Sequence, residues 1–217
     1  MDSLPFFFNH LFTEPYFFLP WVLIITFSIC VHEYAHAITA LLRGDDTAAR
    51  QGHLTLNPLV QMGPVSLMLL LIAGIAWGAV PVDVSRFRRR SDASLVALAG
   101  PLANLLLAIV FALGVLVTRW VTGGLEGNVV YFLFLAIRAN TVLFLFNMLP
   151  IPILDGWKVY AQWFPPMRNL SPVWSSQISL MLFMLLWVTP AVGVIWNWGD
   201  HLAAIILSGW LLLGGVG

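Results

Sequence analysis

The chain has 217 residues, of which 60% are hydrophobic and only 9% are charged, and its formal net charge is zero. Because a soluble domain carries roughly 25% charged residues, this composition excludes a soluble globular protein, a disordered chain and a nucleic-acid-binding protein. It predicts an all-α polytopic membrane protein. A single cysteine excludes a disulfide framework and a cysteine-based zinc cage.

Six apolar runs follow one another along the chain. They cover residues 17–41, 62–80, 95–118, 129–164, 173–189 and 201–214. A transmembrane helix needs about 20 apolar residues, so the sequence predicts about five to six transmembrane segments in one integral-membrane domain, residues 1–217. Pro150 and Pro152 break the fourth run, and the last two runs predict C-terminal helices at about 173–214.

The arginines indicate the orientation of these segments. Most of them lie in two links, at residues 43–50 and 86–90, whereas the N-terminus and the link 119–128 contain Arg119 alone. The positive-inside rule places Arg-rich links in the cytoplasm. We therefore expect the N-terminus to lie outside and the first apolar run to cross from outside to inside.

The second run, residues 62–80, has Arg-rich links on both sides, so a simple span would place one of them outside. It also contains Gly63, Pro64, Gly74 and Gly78. These features favour a re-entrant hairpin that enters and leaves from the cytoplasmic side, with a true span as the alternative. Just before it, the alternation of apolar and polar residues within 50–59 predicts a short membrane-proximal β-strand or hairpin.

The sequence His-Glu-Tyr-Ala-His lies inside the first apolar run, at residues 32–36. Positions i and i+4 share one helix face, so His32 and His36 can bind one Zn²⁺ while Glu33 acts as a general base. The alternative is a buried polar cluster that holds helices together. The helix rises roughly 16 Å from His32 to Arg43, which places the site within the bilayer, nearer the cytoplasmic face.

A catalytic zinc site needs a third protein ligand and an open position. Every acid other than Glu33 and Asp155 lies in a loop or near the end of a run. Asp155 follows the break at Pro150 and Pro152, and a restarted helix is a common place for a buried ion site. Asp155 is therefore the predicted third ligand. The alternative is that it caps the restarted helix.

Two asparagines add polar groups at membrane depth. Asn104 and Asn147 each have a side-chain amide that can donate to the oxygen of a tetrahedral intermediate, which predicts a catalytic role. Either amide can equally hold two helices together by a hydrogen bond.

Taken together, these motifs resemble the site-2 protease family of intramembrane zinc metalloproteases, and its short prokaryotic branch without a PDZ or CBS domain in particular. The likeness covers about residues 17–165, the expected catalytic core, and its motifs are HEYAH (32–36), GDDTAARQGHLTLNPL (44–59), VPVDVSRFRRR (80–90), AGPLAN (99–104) and NMLPIPILDG (147–156). The resemblance implies that His32, His36 and Asp155 are zinc ligands, that Glu33 is the catalytic base and that Asn147 lines the active site.

One stretch departs from the pattern of that branch. Gln61-Met62-Gly63-Pro64 stands where a His-x-Asp-Pro stretch is frequent. The zinc ligands are unaffected, but the departure changes two polar groups that the family places near the mouth of the site.

The expected function is hydrolysis of peptide bonds in or near transmembrane segments of membrane proteins, with one Zn²⁺ per chain and a zinc-bound water activated by Glu33. The expected location is the inner (plasma) membrane, as a multi-pass protein in contact with lipid, with transmembrane proteins or peptides as substrates and homo-oligomerisation left open. The alternatives are a catalytically inactive homologue and a metal-binding membrane scaffold or transporter.

Overall fold

The computed structural model describes residues 7–168 and 171–213, and it is predominantly helical. Short 3₁₀ turns lie at Phe7–Asn9 and Val84–Arg86. The α-helices of the described residues are α1 (His10–Thr13), α2 (Pro15–Arg43), α3 (Thr47–Arg50), α4 (Pro58–Gln61), α5 (Gly63–Ala73), α6 (Asp92–Thr122), α7 (Asn128–Asn147), α8 (Asp155–Tyr160), α9 (Pro165–Arg168), α10 (Pro172–Val188) and α11 (Ala191–Leu213).

Within the described residues, α2, α6 and α7 are long and apolar enough to cross a membrane. They correspond to the first, third and fourth predicted runs. Helix α2 begins at Pro15, whose missing N–H is tolerated in a first turn. It ends at Arg43 and is capped by Gly44, which has a left-handed φ of 107°. The membrane character of the chain is thus supported by these helices, and the count of five to six spans stays a prediction.

The three helices pack against one another, and α6 contacts both α2 and α7. One buried cluster joins Ile25 and Ile29 of α2 to Leu135 and Ala139 of α7. A second cluster packs alanines of α6 against Ile137 of α7. Small side chains allow helix backbones to approach closely in a membrane bundle, and this packing fixes the spacing of the polar residues that the helices carry.

The second apolar run folds back on itself. Helix α5 has 11 residues, so it is roughly 16 Å long and too short to cross a hydrocarbon core of about 30 Å. The chain then returns without regular secondary structure, and Ala79 N donates to Gln61 O at 3.0 Å. The two ends of the run therefore meet. We call residues 75–83 the returning segment.

The predicted β-strand at 50–59 is wrong. Residues 53–57 form an irregular loop before α4, and the described part of the chain contains no strand. The reason is a buried side chain: Gln61 Nε2 donates to His53 O at 2.9 Å and to Thr55 O at 2.5 Å. The carbonyl groups that would pair with a neighbouring strand are thus bonded to a glutamine, at the position where the sequence departs from the family pattern.

The C-terminal part differs from the expected boundaries. The last predicted run begins at 201, but α11 begins at Ala191 and places Asp200 well inside the helix rather than near its end. There Asp200 accepts two hydrogen bonds from Arg138 of α7, at 2.6 and 3.0 Å. The Arg138 guanidinium also lies 4.9 Å from the ring of Trp196. This ion pair between α7 and α11 was not anticipated from the sequence.

The candidate metal centre

The HEYAH helix brings its two imidazoles to the start of α8, as the spacing predicts. His32 Nε2 and His36 Nε2 lie 3.0 Å apart. Asp155 Oδ2 lies 3.0 Å from His32 Nε2 and 3.2 Å from His36 Nε2. All three residues are buried. They are also the only cluster of His, Cys, Asp or Glu residues among the described positions with a geometry suited to a metal ion.

The hydrogen bonds of the two histidines fix where their protons lie. His36 Nδ1 is 2.7 Å from Val96 O, a carbonyl that can only accept, so this nitrogen is the donor. His32 Nδ1 is 2.6 Å from Asn104 Oδ1, which is likewise an acceptor. In neutral imidazoles both Nε2 atoms then carry lone pairs.

Three acceptors therefore converge, namely two Nε2 lone pairs and a carboxylate oxygen, with no donor between them. Such an arrangement is repulsive without a cation, and it matches the three protein ligands and open fourth position of a catalytic zinc site. The donor set fits Zn²⁺, which binds imidazole nitrogen and carboxylate oxygen. These observations establish that the group can hold a metal.

Gly100 of α6 leaves the space next to these ligand atoms open. A Cβ at this position would overlap Nε2 of both His32 and His36. Helix α6 can approach α2 this closely only because residue 100 has no side chain. The position of Gly100 in the AGPLAN stretch favours a close-packing role, and in the structure the close contact is with the two imidazoles.

Asn104 lies behind His32 and is completely buried. Its Nδ2 donates to Asn140 Oδ1 at 3.1 Å and to Ser28 O at 3.3 Å. Asn140 Nδ2 in turn donates to Ala136 O at 2.9 Å. Since that carbonyl can only accept, the orientation of both amides is determined, and Asn104 Oδ1 is left to accept from His32. Asn140 was missed from the sequence, although a buried Asn within an apolar run was a detectable signal.

Glu33 is buried and faces a cavity of about 580 Å³. His32, His36 and Asp155 also line the cavity. The backbone of Gly78 lies against the carboxyl group of Glu33, so closely that a Cβ at residue 78 would overlap it. The returning segment therefore forms one side of the cavity.

Asn147 lines the same cavity at the end of α7. Its Nδ2 donates to Leu143 O at 3.0 Å, which uses one of the two amide hydrogens. Lys158 of α8 also contributes to the cavity and was not predicted as a site residue. The remaining surface is mostly apolar, with Val80, Val82 and Phe146 among its members.

Asp155 is the first residue of α8, directly after the proline break. The helix has Leu154 at its N-cap position and no side-chain capping bond. The carboxyl group of Asp155 instead contacts the two histidines. The alternative interpretation, in which Asp155 serves only as a helix cap, is therefore not supported by the geometry.

Comparisons with known proteins agree with this picture. The chain is 38% identical over 184 residues to "Putative zinc metalloprotease YwhC" of Bacillus subtilis, covering 81% of this chain and 84% of that protein. It is 35% identical over 176 residues to "Putative zinc metalloprotease Rip2" of Mycolicibacterium smegmatis, and 32% identical over 174 residues to the Rip2 protein of Mycobacterium tuberculosis. Both matches cover 76% of this chain and 65% of Rip2. No family model and no solved structure matches the chain.

Proposed function

Because the chain belongs to the site-2 protease family of zinc metalloproteases, we propose that it is an intramembrane zinc metalloendopeptidase. Its substrates are transmembrane proteins or peptides, cut in or near their membrane-spanning segments. The observation that carries this proposal is the convergence of His32, His36 and Asp155 beside Glu33, in a cavity between helices apolar enough to span a membrane.

One zinc ion per chain would be held by His32 Nε2, His36 Nε2 and an oxygen of Asp155. Zinc bound there supplies a Lewis acid that activates water and polarises the substrate carbonyl. The protein keeps both Nδ1 protons on fixed acceptors, Val96 O and Asn104 Oδ1. Such outer contacts orient the ligands and set their tautomer.

Glu33 is the general base. Its carboxylate accepts a proton from the attacking water and delivers it to the amide nitrogen of the leaving segment. The neighbouring Gly78 backbone and the surrounding helices restrict the carboxyl group to the cavity. The residue thus stays next to the ligand atoms without being a ligand itself.

The two asparagines divide their roles. Asn147 retains one Nδ2 hydrogen that can donate to the carbonyl oxygen of the scissile bond, as in other oxyanion-binding sites. Both Nδ2 hydrogens of Asn104 are already bonded, to Asn140 and Ser28. We therefore assign Asn104 to the positioning of His32 rather than to contact with the reacting atoms.

A substrate must present an extended backbone, since a helix buries its carbonyl groups in its own hydrogen bonds. The returning segment offers an edge for such a chain by β-addition. Because residues 53–57 form an irregular loop, we assign this role to the returning segment alone. The cavity is otherwise apolar, which suits the hydrophobic side chains of a transmembrane substrate.

We propose that in the cell it is a multi-pass protein of the inner (plasma) membrane, with its N-terminus outside. The residue 62–83 hairpin then dips into the bilayer from the cytoplasmic side, and the metal centre lies nearer that side. Water reaches the cavity from the cytoplasm, and the apolar surfaces of the helices contact lipid. Assembly into homo-oligomers is compatible with this placement and does not enter the mechanism.

The decisive experiment combines metal analysis with cleavage of a model transmembrane substrate. Glu33→Gln should retain zinc and lose cleavage by a factor of at least about 100. The control Glu126→Gln alters an exposed glutamate in the link between α6 and α7 and should match wild type. Equal cleavage by wild type and Glu33→Gln would refute the mechanism.

An inactive homologue or a metal transporter remains the alternative, and it receives less support. The curated relatives are named as metalloproteases, and all four residues of the proposed site are present together. A wild-type protein that binds zinc but never cleaves any transmembrane substrate would favour the inactive scaffold.

A further inference from the structure

The returning segment is held in place by only a few hydrogen bonds. At its beginning, Ser66 Oγ donates to Trp77 O at 2.7 Å and accepts from Trp77 N at 2.9 Å. In its middle, Ala79 N donates to Gln61 O. At its end, Asp83 N donates to Asp45 Oδ2 at 2.7 Å. Since the described residues provide no neighbouring strand, these contacts decide where the segment lies.

Asp45 differs from the other two anchors because it lies next to α2, whereas Gln61 and Ser66 lie next to and within α5. It follows directly after α2, and Asp45 N donates to Ala40 O at 3.0 Å, so its backbone continues the end of that helix. Its Oδ1 accepts from the amide and the hydroxyl of Thr47. The side chain is fully buried, and a buried carboxylate is tolerated only when it is hydrogen-bonded in this way.

This carboxylate therefore connects the helix that carries His32, Glu33 and His36 to the segment that forms the opposite side of the cavity. The backbone of Gly78 touches Glu33, and Val80 and Val82 line the cavity between Gly78 and Asp83. A shift of Asp83 away from α2 would change the width of the cavity where an extended substrate has to fit.

We propose that Asp45 is a positioning residue for substrate binding, which fixes the returning segment relative to the HEYAH helix through its bond to Asp83 N. The inference rests on the proposed protease function for its consequence on cleavage. Its structural part, the anchoring of the returning segment by a buried carboxylate, does not depend on that function.

The neighbouring residue Asp46 provides a matched control. Its carboxylate is about one-third exposed and pairs with Arg50 at 2.6 Å and with Arg86 at 2.7 Å. Ion pairs on exposed surfaces contribute little. Asp45→Asn and Asp46→Asn are thus the same chemical change at adjacent positions. Only the first replaces, by an amide donor, one of the two carboxylate oxygens that accept from Thr47 and Asp83 N.

The test measures hydrogen exchange of peptides covering 76–83, zinc content, and KM and kcat for a model transmembrane substrate. Asp45→Asn should speed exchange of these peptides about tenfold and raise KM about tenfold. Its zinc content should stay at the wild-type level and its kcat within about twofold. Asp46→Asn should leave every quantity unchanged. Wild-type exchange in Asp45→Asn, or a loss of kcat at unchanged KM, would overturn the proposal.

A second pair of variants removes the donor instead of the acceptor. Asp83→Pro deletes the backbone N–H, whereas Asp83→Ala keeps it. Only the proline variant should reproduce the fast exchange and the raised KM, and identical behaviour of the two would contradict the proposal. Exchange is measured without substrate. A wild-type protein that never cleaves would therefore refute the proposed function while the anchoring is still decided by exchange.

Discussion

His32 is held by a chain of amides that leads away from the metal centre. Ala136 O, Asn140 and Asn104 are linked in order, and each contact fixes the orientation of the next side chain. The last member of the chain accepts the Nδ1 proton of His32, so the free lone pair points towards His36 and Asp155. The tautomer of one ligand is thereby determined by a carbonyl group on α7.

This chain predicts the behaviour of Asn104→Ala. The variant leaves a buried N–H of His32 without an acceptor, so zinc affinity should fall about 10- to 100-fold. The affinity is measured by competition with a chelator of known strength. Asn197→Ala, at an exposed position of α11, serves as the control. A drop in kcat with unchanged zinc affinity would instead indicate that Asn104 contacts the reacting carbonyl.

Gly100→Ala adds only one methyl group, but we expect it to remove most of the bound zinc. The new methyl group would occupy the space at the Nε2 atoms of both histidines. Zinc content should therefore fall to a small fraction of one ion per chain, as measured by elemental analysis. On the same helix, a methyl group at Gly114 would meet only the flexible end of Leu133. Gly114→Ala should keep its zinc, and similar losses in both variants would contradict this explanation.

For individual residues, the sequence was informative where a short-range pattern identifies the residue. The spacing of His32 and His36 on one helix face, and the acid after a proline break, led to three residues that the structure brings together. Asn140, Gly78 and Lys158 could not be placed in the same way. Their positions depend on how α7 and the returning segment pack against α2, and no short-range pattern specifies that packing.

Two polar loops contact each other at the Arg-rich end of the molecule and connect α2 to the returning segment. Asp45 and Asp46 follow α2, and they contact Asp83 at the end of the returning segment and Arg86 just beyond it. Burial raises the pKa of Asp45, but the hydrogen bonds from Thr47 and Asp83 N outweigh it, so its pKa lies below the ordinary value. Hydrogen bonds from the hydroxyl and the amide of Ser85 similarly lower the pKa of Asp83.

These shifts predict an acid-sensitive connection between the loops. A carboxyl group whose pKa is lowered by folding stabilises the folded state fully above its unfolded pKa of about 3.9. It loses that contribution as the pH falls through the lower folded value. The melting temperature of wild type should thus fall between about pH 5 and pH 2.5 more steeply than that of Asp45→Asn. Equal slopes, in a series that includes Asp46→Asn as a control, would contradict the assignment.

The long helices were predicted from the sequence, whereas the strand at 50–59 and the position of Asp200 were predicted wrongly. Long apolar runs yielded α2, α6 and α7 because a spanning helix needs little beyond length and hydrophobicity. The strand at 50–59 failed because alternation is a weak signal over a few residues, and Gln61 provides the hydrogen bonds that a partner strand would have supplied. The sequence predicted Asp200 near the end of a helix because charged residues usually lie outside apolar runs. In the structure Asp200 lies within α11, where Arg138 of α7 neutralises its charge.

In the whole molecule, several contacts bring the Arg-rich links and α8 to one end. Arg88 N donates to Arg43 O, Arg43 pairs with Asp92 at 3.9 Å, and Ser94 Oγ donates to Lys158 O at 3.2 Å. The link between α6 and α7 joins the end of α6 that lies away from the Arg-rich links to the start of α7. A single orientation therefore places every Arg-rich link on the same side, as the positive-inside rule requires.

This arrangement predicts which sites a membrane-impermeant thiol reagent can reach. In a Cys30→Ala background, which removes the only cysteine, Glu126→Cys should be labelled on intact cells. Gln51→Cys and Ser85→Cys should be labelled only after permeabilisation. All three positions are exposed, so accessibility within the fold does not limit the reaction. Labelling of Ser85→Cys but not Glu126→Cys on intact cells would show the opposite orientation.

The shortness of α5 has a consequence for biosynthesis. In the proposed topology this hairpin adds no crossing, so α2 and α7 run in the same direction and bring the histidines and Asp155 to the same depth. Lengthening α5 by about two leucine-rich turns would bring it near the roughly 20 residues that a translocon integrates as a span. Every later helix would then be inserted upside down, and Asp155 would be made on the wrong side of the membrane. In that topology, the 11-residue length of α5 is a condition for bringing the two histidines and Asp155 together.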